Sequence, residues 1–271
     1  MPGYHVPHNQ IKELVNTIKS ELPRNVTCKL ETCSPYDESL CKALEDQGWV
    51  KGRTTQYSHT VQFDLTRPIE VLRAEMKKRA RNEINRAVAN DVQVIEQTIT
   101  EASITQMYEL LKNTASRKQF SVHDKNFLFT FWQEMAQAGR MRMFFAMHGT
   151  QIITAAVIIL SQDGKQAWYK EGASVPESNG LNAPRYLLWE IAQALKVDGV
   201  ESFDLGGVPD PATYESSSMK GIFIFKTAYT AEITRMMPAY ELPINKTKYK
   251  LWPKTELVLR KLAHLRHNNW Y

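Results

Sequence analysis

The sequence predicts an α/β (α+β) fold in which helices flank a mixed β-sheet. The first observation is the order of the predicted elements: helix, strand, two helices, antiparallel strands, helix and strand. This order lacks the strict strand-helix alternation of a doubly wound sheet. The second observation is size and composition. The 271 residues, 43% hydrophobic and 23% charged, are enough to bury one large core or two modest ones.

Residues 25–90 are predicted to form two strands and two helices. A strand is predicted in "NVTCKLETC", and alternating β-branched and aromatic residues predict another in "TTQYSHTVQFDLT". Between them, "YDESLCKALEDQGW" has the acidic first turn of a helix. In "PIEVLRAEMKKRARNEINRAVAN", Pro68 suits a first turn and apolar residues recur at helical spacing. This segment is therefore predicted to be one long helix.

The following segments are predicted to form most of the sheet. Two apolar runs, "MRMFFAMHG" and "TQIITAAVIILSQ", meet at His148-Gly149-Thr150, which indicates a hairpin of buried strands. Gly199 closes a predicted helix, "APRYLLWEIAQALKVDG". The remaining predicted elements are the strands "VQVIEQ", "KQAWYKEGAS" and "VESFDLGG" and the helices "TEASITQMYELLKNTA" and "HDKNFLFTFWQEMAQA".

The charge distribution favours an anionic partner. The net charge is +5, and the sequence pI is about 9.0. Basic residues are concentrated in residues 67–90 and in residues 246–266, and two such segments are expected to flank one groove. The three cysteines lack the paired spacing of a zinc site, so reduced thiols and no metal are expected. Without a spanning apolar run or a secretory signal pattern, the protein is expected in the cytoplasm.

One lysine stands out in the apolar stretch "GIFIFKTAY", residues 221–229. Burying a lone ammonium costs several kcal/mol unless the group is paired or functional. From this stretch alone, Lys226 is either a side chain that reaches to solvent along Phe223 and Tyr229, or a cation kept for chemistry.

Four segments taken together resemble the Fem aminoacyl-transferases: "KKRARNEINRAVANDVQVIE", "YKEGAS", "APRYLLWEIAQALKVDGVESFDLGGV" and "GIFIFKTAY". The resemblance covers 66–232 well and 25–65 weakly. It implies a mixed sheet like that of the GCN5-related acetyltransferase (GNAT) fold, in one complete domain plus a partial second one. The expected divisions are a partial first domain in 1–67, a complete domain in 68–235, and a C-terminal strand and helix in 236–271 that return to the first domain. Family members are usually longer at the N-terminus, which leaves the acceptor specificity open.

The resemblance also implies a reaction. Fem enzymes move an amino acid from aminoacyl-tRNA to an amine of the peptidoglycan precursor stem peptide, in the synthesis of cell-wall bridges. No cofactor is implied, because the acceptor's own amine is the nucleophile. The implied partners are aminoacyl-tRNA and a nucleotide-linked or lipid-linked muramyl peptide, or another amine acceptor. A monomer is expected, in peripheral contact with the inner face of the membrane.

The resemblance assigns site residues as well. The Phe-Lys pair of the family corresponds to Phe225 and Lys226, with Lys226 stabilising the tetrahedral oxyanion. Candidates for binding the substrate are Tyr169, Arg185, Asp204 and Glu31. Each has a structural alternative: Tyr169 as strand filler, Arg185 as a solvated helix residue, and Asp204 and Glu31 as structural groups. The tRNA acceptor arm is expected to contact a basic helix, whose candidate residues are Lys77, Lys78, Arg79, Arg81 and Arg86.

Two rival functions remain open at this stage. The first is an acyl-CoA-dependent N-acyltransferase on the same core. Such an enzyme needs a loop of backbone N–H groups that holds the pyrophosphate of coenzyme A. The corresponding loop here, "ESNGLN", starts with the acidic Glu177 and is followed by Pro184, so it is expected to bind an anion poorly. The second rival is a non-catalytic module that binds RNA or a membrane surface.

Overall fold

The computed structural model describes residues 10–32, 34–230 and 232–251. The described helices are α1 (Ile11–Glu21), α2 (Glu38–Asp46), α3 (Ile69–Glu75), α4 (Lys78–Ala89), α5 (Glu101–Lys118), α6 (Lys125–Gln137), α7 (Ala183–Val197) and α8 (Lys220–Lys226). The described strands are β1 (Thr27–Leu30), β2 (Val50–Lys51), β3 (His59–Asp64), β4 (Val92–Glu96), β5 (Met141–His148), β6 (Gln151–Leu160), β7 (Gln166–Ser174), β8 (Ser202–Val208), β9 (Ile233–Arg235) and β10 (Tyr240–Pro243).

The chain divides into two compact units. The larger unit is His59–Ile233, and the smaller one contains the described residues on either side of it. The larger unit begins before the expected start at residue 68, because β3 pairs with β8 from His59↔Val208 to Asp64↔Ser202. β3 therefore belongs to the large sheet and not with the preceding segment.

The large sheet is mixed, which confirms the predicted fold class. Its seven strands lie in the order β4-β5-β6-β7-β8-β3-β9. Strands β4 to β7 are joined in antiparallel pairs, whereas β7 and β8 are parallel. The predicted hairpin is confirmed, because β5 ends at His148, β6 begins at Gln151, and Gly149 between them adopts a positive φ of 58°. Only a residue that tolerates the left-handed region fits this tight turn well.

Both faces of this sheet are covered by apolar side chains. Along β5 and β6, successive residues point to opposite faces, as strand geometry requires. Phe144 and Ile158 pack in one core with residues of α4 and α7, and Phe145 and Val157 pack in a second core with residues of α5 and α6. The sheet is therefore buried on both sides, which explains why β6 reads as a continuous apolar run instead of an alternating pattern.

The smaller unit has its own sheet and core. Its three strands lie in the order β1-β10-β2, and the C-terminal strand β10 pairs antiparallel with β1 from Thr27↔Pro243 to Leu30↔Tyr240. Helices α1 and α2 contribute Ile11, Val15, Cys41 and Leu44 to an apolar cluster. Helix α1 has no counterpart in the sequence prediction. The helix expected in 254–267 lies outside the described residues, and the partial-domain interpretation of this unit stays a prediction.

The long helix predicted after Pro68 is wrong, because two helices form there. Met76 and Lys77 are extended, with ψ near 140°, and they separate α3 from α4. The break is stabilised by contacts outside the segment's own helical ladder. The Lys77 backbone N–H donates to the Ala228 carbonyl at 2.9 Å, and the Arg81 guanidinium donates to the Ala74 and Met76 carbonyls at the end of α3.

Candidate active site

The parallel strands β7 and β8 separate from each other partway along their length. They pair from Gln166↔Ser202 to Trp168↔Asp204 and no further, although β7 continues to Ser174 and β8 to Val208. A bulge at Lys170 in β7 and an irregularity in the β3–β8 pairing at Gly206 accompany the separation. Bulges bend strands and increase their twist. The result is a split in the sheet, bordered by 169–174 on one strand and 205–208 on the other.

Lys226 lies at this split, at the last residue of α8. Its Nζ donates to the Gly207 carbonyl at 3.0 Å. Burial lowers the pKa of Lys226 to about 8, and the charge of Asp204 offsets this effect in part. Among the described residues, no carboxylate lies within ion-pair distance of the ammonium. The structure thus holds a desolvated cation by one hydrogen bond, with its remaining N–H donors available to a ligand.

Asp204 supports the strand that holds Lys226. One carboxylate oxygen accepts from the Gly206 N–H at 2.7 Å and from the Thr60 hydroxyl, and the other accepts from the Gln62 amide at 3.3 Å. Gly206 adopts a φ of 81°, and a Cβ there would lie 3.3 Å from Lys226 Nζ. These three protein donors are what the structural alternative for Asp204 predicts, because they make it a turn partner. Asp204 also supplies a negative charge near Lys226.

Arg185 is buried on α7 and uses its donors within the protein. Its Nε donates to Glu83 on α4 at 2.6 Å, and its Nη1 donates to the Phe225 carbonyl at 2.8 Å. The guanidinium also lies over the rings of Phe225 and Tyr229, at 4.6 and 5.2 Å from their centroids. Arg185 is therefore not the solvated helix residue of the sequence alternative. It fixes the backbone of the Phe-Lys pair.

Tyr169 lies on the β7 side of the split. Its hydroxyl is directly over Gly172, where a Cβ would be 1.6 Å from the hydroxyl oxygen. Burial, with the nearby charge of Glu171, raises the pKa of Tyr169 above its usual range. Within the described part of the chain, the hydroxyl has no hydrogen-bond partner. The absence of a side chain at residue 172 thus lets an uncharged phenol donor lie along the strand.

Glu171 is a candidate that the sequence analysis missed. Its side chain is 12% exposed. Burial raises the pKa of Glu171 to about 7, although Lys170 and the Trp132 indole act in the opposite direction. The Oε2 atom and the Trp132 N–H are both buried without a hydrogen bond of good geometry to any described residue. A desolvated carboxylate with a perturbed pKa beside a split sheet is a typical feature of a functional site.

The sequence from 74 to 215, just over half of the chain, matches the acetyltransferase (GNAT) domain family. The chain belongs to this family. Among solved structures, FemX is similar with a TM-score of 0.75 at 13% identity, over 90% of this chain and 79% of FemX. The resemblance to Fem transferases is thus confirmed at the level of the fold.

Two further structures share the fold. The C-terminal domain of a putative lysylphosphatidylglycerol synthetase from Agrobacterium fabrum gives a TM-score of 0.58 at 14% identity, over 93% of this chain and 79% of that domain. The structure of L-PGS from Bacillus licheniformis gives 0.56 at 11% identity, over 87% and 72% of the two chains. No curated protein matches the chain in sequence.

The loop before α7 is the one that the sequence analysis compared with the pyrophosphate loop of coenzyme A-dependent GNAT enzymes. Three of its N–H groups are bonded within the turn: Gly180 and Leu181 donate to the Glu177 carbonyl, and Asn182 donates to the Asn179 carbonyl. Pro184 has no N–H, and Arg185 points to Glu83 and Phe225 instead. The loop therefore has few free N–H donors with which to hold a pyrophosphate.

Glu31 belongs to the smaller unit. Its carboxylate accepts from the backbone N–H groups of Thr55 and Gln56 at 2.6 and 2.8 Å and from the Thr55 hydroxyl, and it forms an ion pair with Lys29 at 3.0 Å. Partial burial opposes ionisation, but these hydrogen bonds outweigh it and lower the pKa of Glu31. The contacts fit the structural alternative, in which Glu31 pins the 55–56 loop to the end of β1.

The five basic candidates for tRNA binding have different surroundings. Arg81 caps α3 through the carbonyls of Ala74 and Met76, and Arg79 pairs with Glu83. Lys77, Lys78 and Arg86 are exposed. Of the C-terminal basic segment, only Lys246, Lys248 and Lys250 lie within the described residues. The tRNA contact stays a prediction, and its best-placed residues are the three exposed ones on and beside α4.

The described residues contain no cluster of three or more side chains suited to a metal ion. None of the helices described is both long and apolar enough to cross a bilayer.

Replacing Gly172 by alanine is expected to displace the Tyr169 phenol from the split. The added methyl group would occupy the position of the hydroxyl, so the ring has to rotate away. Transfer activity should fall by about 10- to 100-fold, because small misplacements of contacting groups have effects of this size. The measurement is kcat/KM together with the melting temperature.

The matched control is Gly221→Ala on α8, where nothing lies within 4 Å of the new Cβ. The control should retain activity and gain slightly in helix stability. A Gly172→Ala protein with unchanged kcat/KM would show that the position of the Tyr169 hydroxyl does not matter to the reaction.

Proposed function

We propose that this protein is an aminoacyltransferase that moves an amino acid from aminoacyl-tRNA to an amine. The acceptor that best fits the Fem-like fold is an amine of the peptidoglycan precursor stem peptide. The family match and the structural neighbours support a transferase. The observation that carries the proposal is Lys226: a desolvated ammonium that has no carboxylate within ion-pair distance among the described residues, at the split between two parallel strands.

The chemistry of the site fits this transfer. When an amine attacks an aminoacyl ester, the C–N bond forms and the carbonyl oxygen becomes an oxyanion. The C–O bond to the ribose then breaks, and the proton lost by the amine is balanced by the one that the departing ribose oxygen takes up. An ammonium fixed in a low-dielectric site stabilises that oxyanion more than it would in water. The Gly207 carbonyl and the Arg185 bond to the Phe225 carbonyl hold the lysine at both ends, so little reorganisation is needed during the reaction.

A direct assay tests the proposal. A mixture of radiolabelled aminoacyl-tRNAs is incubated with nucleotide-linked muramyl pentapeptide, with its lipid-linked form, and with simple amines, and the products are analysed by mass. The expected product is a precursor heavier by one amino-acid residue. No transfer from any aminoacyl-tRNA, with acetylation of amines from acetyl-CoA, would contradict the proposal and favour the acyl-CoA alternative.

Acetyl-CoA and free coenzyme A are expected to bind poorly. The loop donors at residues 180–182 are bonded internally, and Glu177 adds a negative charge where a pyrophosphate would lie. The melting temperature should therefore change by less than about 1 °C with millimolar acetyl-CoA, since a ligand stabilises only in proportion to its occupancy. A rise of several degrees would count against this interpretation of the loop.

A further inference from the structure

Glu171 and Gly207, whose carbonyl accepts a hydrogen bond from Lys226, lie at matching positions on the two strands that border the split. The last β7–β8 pair contains Trp168, which is opposite Ile159 of β6. Glu171 is opposite Val157, so it lies two β6 positions beyond that pair. Counted along β3, Gly207 is also two positions past that pair, because Asp204 is opposite Gln62 and Gly207 is opposite Thr60. Lys226 Nζ is bonded to Gly207. Glu171 and the Gly207 carbonyl that holds Lys226 therefore lie at matching register positions on the two sides of the opening.

The two groups belong to different sides of the split. Glu171 is opposite Val157 and lies beside Trp132, in the core that α5 and α6 cover. The Lys226 ammonium lies at the Gly207 carbonyl of β8. A small group bound in the split would thus have β7, which carries Glu171, on one side and β8, which holds Lys226, on the other.

Within the part of the chain that the structure describes, the Glu171 carboxylate has no strong cationic partner. Its ion pair is with Lys170, at 4.0 Å, and the Lys170 side chain is about half exposed. Such a contact contributes little, because solvent screens it. Burial also raises the pKa of Glu171 to about 7, so the carboxylate is only partly ionised near pH 7 unless a cation is bound beside it. The site is complementary to a small positive group.

The donor of the proposed reaction carries such a group close to the reacting carbon. The α-ammonium of an aminoacyl ester is attached to the carbon next to the carbonyl carbon, whereas an acetyl group has no charge there. The acceptor amine has to be neutral when it attacks, so an anion that retains an ammonium suits the donor better. We propose, as an inference that rests on the proposed function, that Glu171 binds the α-ammonium of the amino acid being transferred. Glu171 would thereby select aminoacyl donors over uncharged acyl donors.

The test compares two donors that differ only at the α position. One is an aminoacyl-tRNA, and the other is the α-hydroxyacyl-tRNA made from it by nitrous acid deamination. The wild-type protein should prefer the aminoacyl donor in kcat/KM by roughly 10- to 100-fold, the usual range for a hydrogen bond between charged groups. In Glu171→Gln, that preference should fall to about threefold or less, while the α-hydroxyacyl donor reacts about as well as with the wild type. Glu171→Asp, which keeps the charge, should retain part of the preference.

Several results would overturn the inference. Equal use of both donors by the wild-type protein would do so without any variant. An equal fall in kcat/KM for both donors in Glu171→Gln would indicate a different role for Glu171. That role is then identified with hydroxylamine, an acceptor that is neutral at pH 7. Rescue by hydroxylamine indicates a proton-accepting Glu171, and no rescue indicates a structural one. If the wild-type protein transfers from neither donor, the proposed function fails, and the inference fails with it.

Discussion

Replacing Lys226 by methionine is expected to lower single-turnover aminoacyl transfer by roughly 10²–10³, the usual cost of removing one oxyanion donor. Methionine keeps most of the volume of the stem but removes the ammonium that donates to the Gly207 carbonyl. The fold should survive, because the charge is desolvated and its loss relieves that cost. Acceptor affinity should change much less, since the oxyanion exists mainly in the transition state.

The matched control for this variant is Lys220→Met. Lys220 is the first residue of the same helix, and its side chain is exposed. The control should therefore transfer at a rate close to that of the wild type. A stable Lys226→Met protein whose rate also stays within a few-fold of wild type would remove this lysine from the mechanism. A joint fall of melting temperature and rate would assign Lys226 to packing along Phe223 and Tyr229.

The effect of Lys226 should also depend on pH. Only the ammonium form stabilises an oxyanion, and burial lowers the pKa of Lys226 to about 8. The ratio of wild-type to Lys226→Met rates is therefore expected to be largest below pH 8 and to fall as the pH rises through that value. Using the ratio cancels the ionisation of the acceptor amine, which is common to both proteins. A ratio that stays constant from pH 6.5 to pH 9.5 would contradict a charge-based role.

The sequence was sufficient for those features that depend on local patterns. Two apolar runs predicted β5 and β6, and the glycine between them predicted the hairpin that joins them. The lone charge in "GIFIFKTAY" indicated Lys226, because a charged residue in an apolar stretch needs an explanation at any position in a fold. These inferences required no knowledge of which distant segments come together.

The features that the sequence did not reveal depend on contacts between distant segments. The chain leaves the helical conformation at Met76 and Lys77, where helix propensity alone favours continuation, and the Lys77 N–H instead bonds the Ala228 carbonyl. Regular alternation would place Glu171 on the same face as Tyr169, and the bulge at Lys170 reverses it. No periodicity in the sequence predicts where such a bulge occurs.

The surroundings of Arg185 were equally hidden. Its partner Glu83 is 102 residues earlier in the chain, so local sequence indicated a solvated or substrate-binding guanidinium. The desolvation cost of burying the guanidinium is offset by its ion pair with a carboxylate on another helix and by its stacking on two aromatic rings. Arg185 was thus identified from the sequence as a candidate for binding the substrate, which stays a prediction, whereas its contacts with Glu83 and the Phe225 carbonyl were not.

Replacing Arg185 by methionine is expected to lower the free energy of unfolding by about 3 kcal/mol or more, because it leaves the half-buried Glu83 without its buried partner and the Phe225 carbonyl without its donor. Arg79→Met is the matched control. It removes the exposed partner of the same carboxylate and should cost about 1 kcal/mol or less.

Denaturant unfolding of both variants measures the difference, and Glu83→Gln in the Arg185→Met background should recover part of the loss. If Arg185 binds substrate instead, Arg185→Met should match Arg79→Met in stability and show a raised KM alone. Equal stability losses would thus contradict the positioning role, whereas a large loss with Arg185→Met alone would show that the buried ion pair between α4 and α7 stabilises the fold beside the Phe-Lys pair.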